Sequence, residues 1–337
     1  MTKNNDSLDC LKVILSVLIV ILHSHPLGEK YHYIFYPLVR VAVPVFFIIS
    51  GFLFFNKCER SNPIDALKRY VIRNMKLYAF WECVLLPVTI YVRDYFSNGM
   101  LNGFLQICKG FLFGSTFIAS WYIIASVFGI CICFMLKRHN SILFLLGLSL
   151  YVICCLSSNY QIPSSNVTHI IDHVNSVIYL PCSFASSIIW IWMGKIVAEK
   201  DIKTIFRPFV LAGICILMYI VLLIEHIIIV TRDWFTQNND CYFSLLLVCP
   251  FVFLVTKKLD VKVNNARNLR AISTITYCLH PSLSPIIRKL YSMIFHISEF
   301  EIPYSIISFL TLIGLCYVAS VLIVRFSKKY KILKLAY

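Results

Sequence analysis

From Asp9 to His23 the chain is apolar at nearly every position, and the exceptions fall on one face. At about 100° and 1.5 Å per residue, the step from Lys12 to His23 returns to within roughly 20° and climbs roughly 16 Å. Asp9 and Ser16 join the same narrow stripe. A membrane penalises each charged group by about 2.5–3.5 kcal/mol when it faces lipid, so the stripe is expected to face a protein-lined, wet interior. A surface Asp9–Lys12 pair with one hydrogen-bonded core histidine would give the same pattern.

The rest of the chain repeats the theme of long apolar runs. Taking runs of roughly 17–25 apolar residues as spans predicts helices near 8–26, 36–56, 74–93, 117–136, 141–157, 177–196, 207–230, 241–256, 270–294 and 303–325. The piece from Gly103 to Phe113 is too short to cross and carries Lys109, so a re-entrant or interfacial segment is expected there. The fold class implied is an all-α, polytopic transmembrane bundle of about ten helices. With no internal repeat, Pro-rich linker or low-complexity tract, residues 1–337 are expected to form one domain.

Composition agrees: 59% of the 337 residues are hydrophobic and 14% charged, too little polar surface for a soluble globule. The first apolar run has no small-residue cleavage site, so a retained helix and no signal peptide are expected. The net charge of +15 is informative through its distribution. Basic residues concentrate in 57–76, 137–140, 195–207, 257–270 and the tail after Arg325, and are sparse in 27–35, 94–116, 158–176, 231–240 and 295–302. The positive-inside rule then places both termini in the cytoplasm, as an even number of spans requires. This alternation accounts for the charge without a nucleic-acid partner. The 14 cysteines lie mostly within apolar runs without paired CxxC spacing, which indicates neither a disulfide framework nor a zinc site.

Candidate chemistry gathers in four places. Asp9, Lys12, Ser16 and His23 form the first. Arg40 and the run Pro44-Val-Phe46-Phe47-Ile-Ile-Ser50-Gly51 form the second, where proline frees a carbonyl and Ser50-Gly51 permits close approach of a helix or ligand. The third is Lys68, Arg69, Arg73 and Lys76, either a lipid-facing basic cluster or a phosphate-binding mouth for a nucleotide-bearing donor such as coenzyme A. The fourth, Ser273, Tyr277, His280 and Ser284, recurs at helical spacing and places His280 at a depth similar to that of His23. It is either an interhelical network kinked at Pro281 or part of a site. Glu82, Glu225 and His226 are further ionisable groups in or near spans. His169, Asp172 and His173 have chelating spacing but no third ligand of similar character, so no metal is expected.

Together these segments resemble the acyltransferase 3 family of integral membrane acyltransferases. The resemblance rests on Asp9, Lys12 and His23, on Arg40 with Val43-Pro44-Val-Phe46-Phe47-Ile-Ile-Ser50-Gly51-Phe, on Lys68-Arg69 running to Leu77-Tyr78 and Trp81, on Trp121-Tyr122, and on Tyr277-Cys-Leu-His280-Pro281. The family pattern usually has arginine at the position of Lys12 and often proline at that of Leu77. Lysine keeps the charge without the bidentate fork.

The resemblance implies transfer of an acyl group, most simply acetyl, from cytoplasmic acyl-CoA to a hydroxyl of a cell-surface or exported carbohydrate. Polysaccharide, O-antigen and lipid-linked saccharide are the acceptor classes, and the bacterial inner membrane is the location. His23 would be catalytic, as general base or as acyl carrier; Lys12, Arg69 and Arg73 would bind acyl-CoA; Arg40, Ser50, Tyr277 and His280 would orient the acceptor or stabilise the oxyanion. Acyl-CoA would be a co-substrate, and membrane lipid the surrounding partner. A transporter or flippase for a polysaccharide or lipid intermediate would also use ten helices and a polar cavity, and a membrane scaffold is a third class.

Overall fold

The computed structural model describes residues 6–24, 26, 36–97, 99–113, 120–160, 165–200, 207–232, 240–259, 261–296 and 306–337. The expected loop 27–35 and most of the loops 231–240 and 295–302 lie outside these residues, as does the stretch 201–206. The elements are α1 (Asp6–Ser24), α2 (Ala42–Arg60), α3 (Pro63–Arg93), α4 (Met100–Phe113), α5 (Ser120–Met135), α6 (Asn140–Ser158), α7 (Ser165–Val177), α8 (Phe184–Glu199), α9 (Pro208–Thr231), α10 (Leu245–Lys258), α11 (Ala266–Phe295) and α12 (Ile306–Phe326). Short 3-10 turns occupy Leu180–Cys182 and Lys331–Ala336. The described residues are helical and contain no strand.

Five of these segments are long and apolar enough to cross a membrane: Asp6–Ser24, Tyr36–Arg60, Asn140–Ser158, Pro208–Thr231 and Ile306–Phe326. With the apolar composition, they make this an integral membrane protein. The other expected spans are helical but differ in kind. α5 has 16 residues, α8 has 16 and α10 has 14, whereas α11 has 30 residues but spends its interior on Ser, Thr, Tyr, His and two prolines.

One expectation is corrected by the fold. The basic stretch 57–76, read as a connection, is mostly helix, because Asn62 and Pro63 start α3 well before the apolar run. The Asn62 side chain accepts the Ile64 amide at 3.0 Å, and proline suits the first helical position. Lys68, Arg69, Arg73 and Lys76 therefore stand on a helix, with Arg69, Arg73 and Lys76 on one face.

The chain divides into two compact units. The first comprises Met1–Ala42, Asn74–Ile123 and Val261–Tyr337. Its centre is the meeting of α1, α11 and α12, where Val20, Ile287, Leu312 and Cys316 are buried together. The tail is tied in as well: the Trp81 indole donates to the Ala336 carbonyl at 3.1 Å. The second unit comprises Val43–Arg73 and Ile124–Asp260. It is built around α8, whose Ile188, Ile189, Trp190 and Ile191 are fully buried. There α2 and α8 cross backbone to backbone: a Cβ on Gly194 would lie 2.2 Å from the Ile48 carbonyl oxygen, and one on Gly51 2.4 Å from that of Ile191. Gly51 thus serves close helix packing, one of the two uses its sequence context allowed.

Candidate functional site

The polar stripes of α1 and α11 meet inside the first unit. The Ser273 hydroxyl donates to the Lys12 carbonyl at 2.8 Å, and the rings of His23 and His280 stack with centroids 5.4 Å apart and planes at 24°. Contacts that advance together along both chains mean that the helices run parallel. Their starts are joined too, since Ser7 and Asp6 accept the amides of Val261 and Val263 at 3.1 and 3.2 Å. α1 has Asp6 and Asp9 in its first turn and His23 in its last, the arrangement that suits the helix dipole.

At the lower end of the stripe, Lys12 pairs with Asp9 through Nζ–Oδ1 at 3.2 Å. Arg270 reaches the other oxygen of the same carboxylate, Nε–Oδ2 3.3 Å. Asp9 is buried, and the Lys12 side chain is 17% exposed. Asp9 and Lys12 therefore pair, and Arg270 joins them as a second cation.

At the upper end His280 is completely buried. Its Nδ1 lies 3.1 Å from the Thr276 carbonyl oxygen. A carbonyl only accepts, so Nδ1 carries the hydrogen, and in the neutral ring Nε2 is left with its lone pair. Among the described residues Nε2 has no hydrogen-bond partner. Pro281 withholds from the Tyr277 carbonyl the amide hydrogen that a regular helix would supply. Tyr277, also buried, meets Tyr122 edge-on at 5.6 Å and lies 6.2 Å from the His280 ring. Ser284, the last member of the stripe, is contacted by Arg288 at 3.4 Å.

The remaining site expectations stand on other elements. Arg40 stacks its guanidinium over the Tyr36 ring at 4.4 Å. The helix breaks at Val41, directly after Arg40, because Pro44 cannot bond back to the Arg40 carbonyl. Ser50 belongs to the second unit, where it and Ser126 hydrogen-bond the Tyr70 hydroxyl. Arg69 and Arg73 are also in the second unit, exposed on α3. His169 and His173 are exposed on α7, and the Asp172 side chain lies outside the described residues. Among the described residues no group of three His, Cys, Asp or Glu side chains is placed to hold a metal.

The second unit holds a polar cluster that the sequence hinted at only through Glu225 and His226. The Glu225 carboxylate accepts the amides of Phe243 and Ser244 at 2.7 and 2.8 Å, together with the hydroxyls of Ser244 and Tyr160. It closes the start of α10. Burial first, then the Glu225 carboxylate, raises the Tyr160 phenol above its ordinary value, so it stays protonated and donates. His226 Nδ1 meets the Tyr242 hydroxyl at 3.0 Å, and Tyr151 donates to the Tyr242 carbonyl at 2.7 Å. These bonds hold backbone in place, which makes the cluster architectural.

Comparison with known proteins gives two kinds of match. An amino-acid racemase of Enterococcus faecalis is 31% identical over 168 residues, 48% of this chain and 23% of the relative. A further amino-acid racemase of that organism is 22% identical over 361 aligned residues, 98% of this chain and 47% of the relative. A serine/alanine racemase of Enterococcus gallinarum is 26% identical over 162 residues, 44% of this chain and 22% of the relative. The chain spans about half the length, or less, of the curated relatives it matches. No solved structure matches it. Residues 5–328 match the family model for the acyltransferase 3 domain, and the chain therefore belongs to the acyltransferase 3 family.

Proposed function

We propose that this domain moves an acyl group, most simply acetyl, from cytoplasmic acyl-CoA to a hydroxyl of an exported or surface carbohydrate. The observation that carries the reading is the pairing of His23 with His280 above Lys12, on two parallel helices. It supplies two imidazoles at one depth and a cation about 16 Å below, a span compatible with an extended pantetheine arm.

In the general-base form, His23 takes the proton of the acceptor hydroxyl as its oxygen attacks the thioester carbonyl carbon. The tetrahedral intermediate collapses, the C–S bond breaks, and the coenzyme A thiolate leaves. In the acyl-carrier form, the His23 nitrogen attacks the thioester first and the coenzyme A thiolate leaves; the acceptor hydroxyl then attacks the acyl-imidazole, the N–acyl bond breaks, and the hydroxyl proton passes to the freed imidazole. Both forms need a group that orients the acceptor. His280 suits that role, because its Nδ1 hydrogen is committed to Thr276. The neutral ring then offers Nε2 as an acceptor for a hydroxyl and offers no hydrogen to an oxyanion. The oxyanion would fall to Tyr277. Lys12 would hold donor phosphate, and Arg40 would serve the acceptor. The cytoplasmic termini and the bacterial inner membrane belong to the same reading.

The racemase relatives favour a second reading. Their names put amino-acid chemistry in longer chains that contain a segment like this one. The membrane domain would then pass an amino acid across the bilayer without consuming acyl-CoA. Incubating membrane vesicles with radiolabelled acetyl-CoA together with envelope glycan, and separately with radiolabelled serine, separates the two. Alkali-labile label on the glycan supports the transferase. Uptake of labelled serine with no loss of acetyl-CoA would overturn it in favour of transport.

A further inference from the structure

We infer that Arg270 is a donor-binding residue that works with Lys12 as a two-pronged clamp for phosphate. The inference rests on the acyl-CoA reading above and adds a residue to its site. The geometry is a single buried carboxylate holding two cations, Lys12 Nζ on Asp9 Oδ1 at 3.2 Å and Arg270 Nε on Asp9 Oδ2 at 3.3 Å.

The two partners are not equivalent. Lys12 is mostly enclosed, whereas the Arg270 side chain is 52% exposed and, among the described residues, pairs with Asp9 through Nε only. Its two Nη groups, the fork that engages phosphate oxygens, reach no carboxylate among those residues. Asp9 therefore acts as a handle that fixes the root of the guanidinium and leaves the tip for a ligand.

The surroundings have the same sign. Asp6 uses one oxygen to accept the Val263 amide, and exposed Lys262 lies between the two residues anchored to α1. This end of the helix pair thus carries Lys12, Lys262 and Arg270 against Asp6 and Asp9. Because α1 and α11 run parallel, both helix starts add partial positive charge at the same end. The Ser273–Lys12 bond keeps the two prongs in register.

The chemistry recognised is a phosphate ester or diphosphate. A nucleotide-bearing donor and an anionic lipid headgroup both present it, and the clamp is assigned to the donor. The test is equilibrium binding of coenzyme A and of phosphate-free pantetheine to the full chain in phosphatidylcholine nanodiscs, for the wild type, Arg270→Gln and Arg270→Lys. Arg270→Gln is expected to weaken coenzyme A binding by about tenfold or more and pantetheine binding by less than about twofold. Arg270→Lys keeps the charge and the Asp9 pair, and is expected to recover only part of the loss. Equal coenzyme A binding by all three proteins overturns the Arg270 assignment and leaves the acyl-CoA reading standing. No binding by the folded wild type overturns both. A loss in Arg270→Gln seen only when phosphatidylglycerol is added assigns the residue to lipid and overturns the donor assignment.

Discussion

The Thr276 carbonyl decides what His280 can do. By taking the hydrogen on Nδ1 it leaves a buried lone pair on Nε2, beside a second imidazole whose ring centroid is 5.4 Å away. Replacing His280 by Leu removes that acceptor with a side chain of similar size. The turnover number is expected to fall about 10- to 100-fold while donor binding is retained, as for a group that positions the acceptor. Steady-state kinetics against equilibrium coenzyme A binding would check it; a change confined to donor affinity would contradict it. The 3.6-residue period alone puts Lys12 and His23 on one face, and Ser273, Tyr277 and His280 on another. That the two faces meet, and that Arg270 shares Asp9, depends on packing between segments some 260 positions apart in sequence, for which a single chain carries no local signal.

Local chemistry of the helices explains where the span boundaries were legible. α1, α6, α9 and α12 are predominantly apolar, and their ends agree with the hydropathy pattern within a few residues. α3 departs because a cap overrides hydropathy: Asn62 and Pro63 launch a helix of 31 residues through the basic segment. Asn62→Ala is expected to cost about 1 kcal/mol of stability, visible as a lower unfolding temperature in detergent. A larger penalty belongs to the α2–α8 crossing. A side chain at Gly194 would meet the Ile48 carbonyl oxygen and the Phe52 amide nitrogen at 2.2 and 2.6 Å, and backbone cannot yield as a flexible side chain does. Gly194→Val is expected to destabilise by about 1–3 kcal/mol or more and to lower detergent-extracted yield. An unchanged thermal transition would mean that the two backbones do not approach as closely as described.

For the molecule as a whole, apolar composition and long apolar runs made the membrane class and the all-helical fold readable without coordinates. Two compact units were not readable, since the boundaries at Ala42, Arg73 and Ile123 fall inside or beside continuous helices rather than in linkers. The proposed orientation makes its own prediction: a fluorescent-protein fusion at Tyr337 should be bright, and an alkaline phosphatase fusion there inactive. The opposite pair of results would reverse the topology. The central claim, that His23 carries acyl transfer from a thioester, is tested most directly by thiol release from acetyl-CoA in the presence of envelope glycan. Purified wild type and folded His23→Ala would be compared side by side. Release by the wild type, lost in His23→Ala by about 100-fold or more, is the predicted result; equal release by both proteins, or none by the wild type with several acyl-CoA donors, would contradict it.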